Sequence, residues 1–318
     1  MTRTIEGDLV GVVRAMASDI TIHGRSRGDN RVERAAIDHA LGVFPVVDAA
    51  CTRFAATSPL MQLNAQPDRW HSVPTMLYRA ILEAHGAYER TRGRFDPRIL
   101  QDLVNLGYDH SLPFADKAVV TTDSSFRRRR MRKWKPRFRG GPNPQVHLGG
   151  LPIDLGGIGK GLAVRWAVER LDGGLDGFLV DAGGDCMCGG PGPDGDGWRV
   201  GVEDPRGGVD PLAVLELRDV ACATSSVRLR RWKSGGREVH HLIDPRTGRP
   251  GGVGMLSVTV VASDPAEAEV VSKTLFLLGR EGIGTAVRHQ NVAALWVDVN
   301  GAVTESPGIA EQVIWRAS

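Results

Sequence analysis

Nine residues, Ile153-Asp154-Leu155-Gly156-Gly157-Ile158-Gly159-Lys160-Gly161, place four glycines, a carboxylate and a lysine side by side. The pattern reads as a short apolar strand, a glycine turn and the first turn of a helix that runs to about Leu171. Glycine has no Cβ, so backbone and ligand can approach closely. A helix start aims its free N–H groups at an anion, and Lys160 adds a positive charge at the same point. The chemistry this suits is holding a phosphate. The spacing is not that of a Walker A loop, which needs Gly where Asp154 stands and Ser or Thr where Gly161 stands. The third glycine is also out of place for a dinucleotide fingerprint. Taken alone, the segment is as well explained by a tight structural turn.

Three further segments carry candidate chemistry. Phe178 to Asp185 is an apolar run ending in Gly183-Gly184-Asp185, at a distance from the first helix that fits a strand-helix-strand unit. Ala223-Thr224-Ser225-Ser226 reads as a small hydroxyl-bearing turn. His241-Leu242-Ile243-Asp244-Pro245-Arg246-Thr247-Gly248 reads as a strand broken at Pro245 into a turn closed by Gly248. Neutral imidazole can take a proton from a hydroxyl near neutral pH, which makes His241 a candidate general base. Asp244 either orients it or caps the turn.

These segments, in this order, resemble the ApbE family, the FAD:protein FMN transferases. The N-terminal half carries the same resemblance in Met16-Ala17-Ser18, Thr52-Arg53-Phe54, Ser58-Pro59-Leu60 with Leu63-Asn64, Gly93-Arg94-Phe95-Asp96-Pro97, and Leu106-Gly107-Tyr108. The likeness covers residues 8–305, read as a single domain with terminal segments 1–7 and 306–318. It implies an α+β fold of two interleaved subdomains with FAD in the cleft between them. It also implies a reaction: the FMN half of FAD moves onto a Thr or Ser hydroxyl of an acceptor protein, and AMP leaves. Two alternatives use the same site. One is a protein that binds FAD without transferring it. The other is an FAD pyrophosphatase, in which water replaces the acceptor.

By the same resemblance, Asp154, Gly156, Gly157 and Lys160 would cradle the FAD pyrophosphate. Phe54 would lie against the flavin ring, or else pack in the core. Met16, Arg94, Phe95 and Asp96 would line the FAD site. Asp96 would accept a hydrogen bond from adenine or ribose, or cap the helix starting near Ile99. Thr224 and Ser225 would bond phosphate or ribose, or simply form a turn. The family's Mg²⁺ implies a cradle carbonyl, here that of Gly159, plus an Asp and a Thr at i, i+4 on a late helix. This chain has Glu269 and Lys273 there. Glutamate can ligate a hard cation. A protonated lysine has donors only and cannot. Glu then Lys at i, i+4 is also the favourable order for an ordinary helix ion pair. We expect the Lys273 ammonium near the pyrophosphate or Glu269, with Mg²⁺ binding weak or absent.

The elements that must position these residues alternate along the chain. Strands are expected in Val10 to His23 and helical spacing from Asn30 to Cys51 and from Pro74 to Arg90. After the cradle helix, strands are expected at Gly177, Trp198 to Glu203, Val214 to Val220, Val239 to Ile243, Met255 to Ala262 and Val292 to Val299, with a helix from Pro265 to Leu278. Strands outnumber helices and short turns join many of them, which argues an α+β fold with largely antiparallel sheet.

Charge is unevenly spread. Residues 127–139 hold nine Lys or Arg and no acid, and the rest of the chain carries 31 basic against 37 acidic residues. General nucleic-acid binding is therefore not indicated. The run reads as a basic surface loop, 124–144, either simply solvated or a docking patch for an acidic partner or a membrane face. No stretch is apolar enough to span a bilayer. Four cysteines without a disulfide-like pattern, and no apolar leader before residue 11, lead us to expect a cytoplasmic protein.

Overall fold

The structure is a computed structural model that describes residues 8–114, 118–120, 132–171 and 173–317. Its centre is an eight-stranded sheet. In spatial order its strands are Asp8–Ala15, Ser18–Arg25, Gly177–Ala182, Asp185–Gly189, Ala221–Ser226, Met255–Ala262, Ala293–Asp298 and Val303–Glu305. Every neighbouring pair in it is antiparallel, though only three of the seven pairs are joined by short turns. The first two strands are joined at Met16 and Ala17, whose φ values of 52° and 58° are those of a tight hairpin turn.

Period-2 alternation gives the sheet two apolar faces. One is covered by helices Asn30–Leu41, Gly159–Leu171 and Pro265–Leu277. The other is covered by a three-stranded sheet of Trp198–Glu203, Pro211–Leu217 and Val313–Arg316, over a core that includes Leu215, Cys222, Leu295 and Val297. The expected helix from Asn30 to Cys51 is two, Asn30–Leu41 and Val43–Cys51, because Gly42 ends the first. Residues 307–316 supply a short helix and a strand of the covering sheet, so this end of the chain is part of the fold and not an appendage.

Two expected local structures differ. Ile153 is buried but lies in an irregular segment, tied down by Asn64, whose side chain donates to the Ile153 carbonyl and accepts from its N–H. Thr224-Ser225-Ser226 is no turn. It is the end of strand Ala221–Ser226, in register with Ser257 to Thr259.

The basic segment is also built in where it is described. Residues 121–131, which include Arg127 to Arg130, lie outside the described residues. Beyond them Trp134 is fully buried and its indole N–H donates to the Leu148 carbonyl. Arg137–Arg139 is an edge strand beside Gln145–His147. The exposed residues alternate as Lys133, Lys135, Arg137 and Arg139, while Trp134 and Phe138 face inward. The described part of the expected loop 124–144 is therefore anchored by Trp134 and the edge strand Arg137–Arg139 and carries a cationic outer face.

Candidate active site

The glycine turn sits where two helix starts converge. Gly161 lies in the first turn of the cradle helix, and a Cβ there would lie 2.5 Å from the Pro265 carbonyl oxygen and 2.6 Å from Ala266 Cα. Only glycine lets these two helices approach so closely. The approach brings Glu269, 1% exposed, onto the turn: its Oε2 accepts from the Gly161 N–H at 2.8 Å. The other oxygen, Oε1, is 3.0 Å from Lys273 Nζ. The Lys273 stem lies over Gly157, where a Cβ would meet its Cδ and Cε at 3.5 Å and the Phe95 ring at 3.1 Å. The expected nearness of Lys273 to Glu269 is thus what the geometry contains.

A cleft opens in front of this turn. One part is lined by Arg94, Phe95, Asp96, Asp154, Gly156 and Gly157, facing Arg230, His241 and Lys273. The adjoining, larger part shares Gly156, His241 and Lys273 and extends over Lys160, Asp185, Thr224 and Ser225. The sequence-predicted residues on its walls do different work. Lys160 Nζ is 2.6 Å from the buried Asp185 carboxylate, so its charge is already paired. Asp154 caps its own turn, accepting from the Gly156 N–H at 3.2 Å, and stands 3.6 Å from Arg53 Nε. Asp96 lines the cleft, but both its oxygens are held by the Arg98 guanidinium, at 2.9 and 2.7 Å. Ser225 Oγ pairs with Ser272 Oγ and Thr224 Oγ1 with Thr259 Oγ1, each at 2.9 Å. Met16 reaches the cradle from the hairpin turn: a Cβ on Gly159 would stand 3.5 Å from its Cε.

Phe54 does not line the cleft. It is 45% exposed and stacks on Arg53, which is sandwiched 4.2 Å from both the Phe54 and Tyr108 ring centres. The aromatic residues on the cleft wall include Phe95 and Tyr108, both largely buried. Arg53, Tyr108 and Arg230 were missed as site residues. Leu106-Gly107-Tyr108 and Thr52-Arg53-Phe54 had marked two of them, but Arg230, on an irregular link between strands, had no local signal.

His241 is pinned by backbone. Its Nδ1 lies 3.3 Å from the Arg230 carbonyl oxygen. A carbonyl only accepts, so Nδ1 carries the hydrogen and Nε2 keeps a lone pair. Burial pushes its pKa well below the usual histidine value, and the nearby charges of Arg230 and Lys273 push the same way. Asp244 does not orient it. Its oxygens accept from Arg246 Nε at 3.0 Å and a terminal guanidinium nitrogen at 2.7 Å, and its carbonyl accepts from the Gly248 N–H at 2.8 Å. Burial would raise the Asp244 pKa, but the hydrogen bonds and charge of Arg246 outweigh it and hold the pKa low. Asp244 is a turn residue.

The residues present do not fit a Mg²⁺ ion. Mg²⁺ demands a near-octahedral shell of oxygens. Here both Glu269 oxygens are engaged, one of them by the Lys273 ammonium, which has no lone pair to give a metal. Among the described residues no group of three or more His, Cys, Asp or Glu is arranged to hold a metal.

A helix-backed antiparallel sheet whose cleft joins a glycine turn, several cations and a neutral histidine defines a protein that handles phosphates. The ApbE family model matches residues 16–296. The FAD:protein FMN transferase of Treponema pallidum (strain Nichols) is 32% identical over 278 residues, 80% of this chain and 75% of that protein. Among solved structures, the ApbE protein of Thermotoga maritima superposes with a TM-score of 0.78 at 25% identity, covering 96% of this chain and 99% of the other. The Pseudomonas stutzeri flavinyl transferase ApbE shares the fold, with a TM-score of 0.77 at 21% identity over the whole of both chains. The chain belongs to the ApbE family.

Proposed function

We propose that the protein is an FAD:protein FMN transferase. The observation that carries this reading is His241: a neutral imidazole, its Nδ1–H fixed on the Arg230 carbonyl, on the wall of the same cleft as the glycine turn. The acceptor is a Thr or Ser hydroxyl of a partner protein. Its oxygen attacks the phosphorus on the FMN side of the FAD pyrophosphate, and its proton passes to His241 Nε2. The bond from that phosphorus to the bridging oxygen breaks, and AMP leaves with that oxygen. Such a transfer asks little covalent work of the protein. Positioning and charge stabilisation dominate.

The cations on the cleft wall, Arg53, Arg94, Arg230 and Lys273, suit a dianionic pyrophosphate. The outer face of Lys133, Lys135, Arg137 and Arg139 is where we place docking of an acidic region of the acceptor. A reducing compartment, the cytoplasm, fits four unpaired thiols, all buried. No helix among the described residues is long and apolar enough to cross a membrane.

The test is incubation with FAD and a flavin-acceptor domain, with and without Mg²⁺, followed by mass spectrometry of the acceptor. Covalent FMN on a Thr or Ser supports the reading. FAD bound but intact, or free FMN and AMP in place of the adduct, would replace it with a binding protein or a pyrophosphatase.

A further inference from the structure

The ion pair between Glu269 and Lys273 is not the solvated i, i+4 pair common on helix surfaces. Glu269 is 1% exposed, and its second oxygen holds the N–H of Gly161 on another helix. The Lys273 side chain is 18% exposed. Its stem crosses the glycine turn at Gly157, and it lines both parts of the cleft. Only one of its three ammonium hydrogens is used, on Glu269 Oε1, among the described contacts. The remaining donors stand at the junction between the cradle and His241.

We propose that Lys273 is a phosphate-binding residue that takes the place of a divalent metal, so that this chain binds the FAD pyrophosphate without metal. The inference rests on the reading of the cleft as an FAD site and adds how its charge is balanced. Glu269 fixes the ammonium as a metal ligand would fix an ion, and the Gly161 N–H fixes Glu269. Charge-assisted hydrogen bonds from the ammonium to phosphate oxygens then supply the neutralisation. A dication at the same point would be repelled by Lys273 and would find both Glu269 oxygens engaged. One positive charge neutralises less than two, so transfer is slower than with a metal but indifferent to chelators.

The experiment is calorimetry of FAD, and of ADP as a flavin-free pyrophosphate, in EDTA and in millimolar Mg²⁺. Wild-type affinity is expected to agree within about twofold between the two buffers. Lys273→Met should weaken both ligands about tenfold or more in EDTA, as loss of a charged hydrogen-bond partner does, and Lys273→Arg should retain most of the affinity. A wild-type affinity raised tenfold or more by Mg²⁺, or a Lys273→Met protein that binds like wild type in EDTA, overturns the proposal. The wild-type comparison decides it even if Lys273→Met fails to fold. Metal-dependent FAD binding would sink this inference alone, whereas no FAD binding in either buffer would sink the flavin reading beneath it.

Discussion

His241 Nδ1 lies 3.3 Å from the carbonyl oxygen of Arg230, and this contact, not one to a carboxylate, sets the tautomer of the imidazole. A backbone carbonyl holds the ring without adding negative charge beside it. Nε2 is left to receive a proton. His241→Ala should therefore lower transfer by ~10²–10⁴, the usual worth of a general base. FAD affinity should change only a few-fold, since a neutral ring contributes little to holding an anion. Rates from flavin appearing on the acceptor, and affinity from calorimetry, separate the two. Unchanged transfer would place the base elsewhere.

The same histidine sets the pH dependence. Its pKa is depressed by burial, then by Arg230 and Lys273. The base form therefore persists at pH values where a free histidine, with a pKa of about 6.5, would be half protonated. The acid limb of kcat/KM, which reports the free enzyme, should lie well below pH 6.5. Stability moves in the same direction. The unfolded chain takes up the proton first, so the stability His241 contributes is complete above about pH 6.5 and is lost as pH falls toward the lowered folded value. An acid limb centred at pH 6.5 or above would contradict the buried, neutral assignment.

Much of this site was legible in the sequence because its parts are local. Glycine spacing marked the cradle, and the i, i+4 spacing of Glu269 and Lys273 showed where the departure lies. The hairpins of the sheet followed from strands joined by short turns, but four of its pairings join strands distant in sequence. What was not legible depends on partners brought from elsewhere. Asp96 is spent on Arg98 two residues away, and Lys160 on Asp185 from another strand. Arg53 is held between two rings, one of them 55 positions further on. Trp134 is core although it lies in a run of nine basic residues, because its ring packs on Tyr88 and His85 and its indole N–H reaches the Leu148 carbonyl.

Asp244 separates a turn role from a catalytic one. Its carboxylate binds Arg246, and its contacts close the turn at Gly248. Asp244→Asn should keep the Arg246 N–H bond and lose the ion pair, which is partly exposed and worth roughly 1 kcal/mol. Transfer should fall by less than about tenfold, and the pH profile of kcat/KM should not move. Thermal unfolding and the pH profile check both. A loss as large as that of His241→Ala would make Asp244 part of the proton path.

The basic segment calls for neutralisation rather than deletion. Removing residues 127–139 would take out Trp134, whose buried ring packs edge-on against Tyr88 and His85, at a cost of roughly 3–5 kcal/mol. Loss of function after such a deletion would report unfolding. Changing Lys133, Lys135, Arg137 and Arg139 together to Gln leaves the inward-facing Trp134 and Phe138 in place. It removes one exposed ion pair, Lys133 with Glu89 at 3.4 Å, of the kind that contributes ~0–1 kcal/mol. If this face docks an acidic region of the acceptor, wild-type transfer should weaken as salt rises, because exposed charges are screened over about 10 Å at 0.1 M. The Gln variant should be slow at low salt, lose most of that salt dependence, and bind FAD as wild type does. Transfer rates against ionic strength, with circular dichroism to confirm folding, make the comparison. Equal rates and equal salt slopes in the two proteins would show that the acceptor docks on another face.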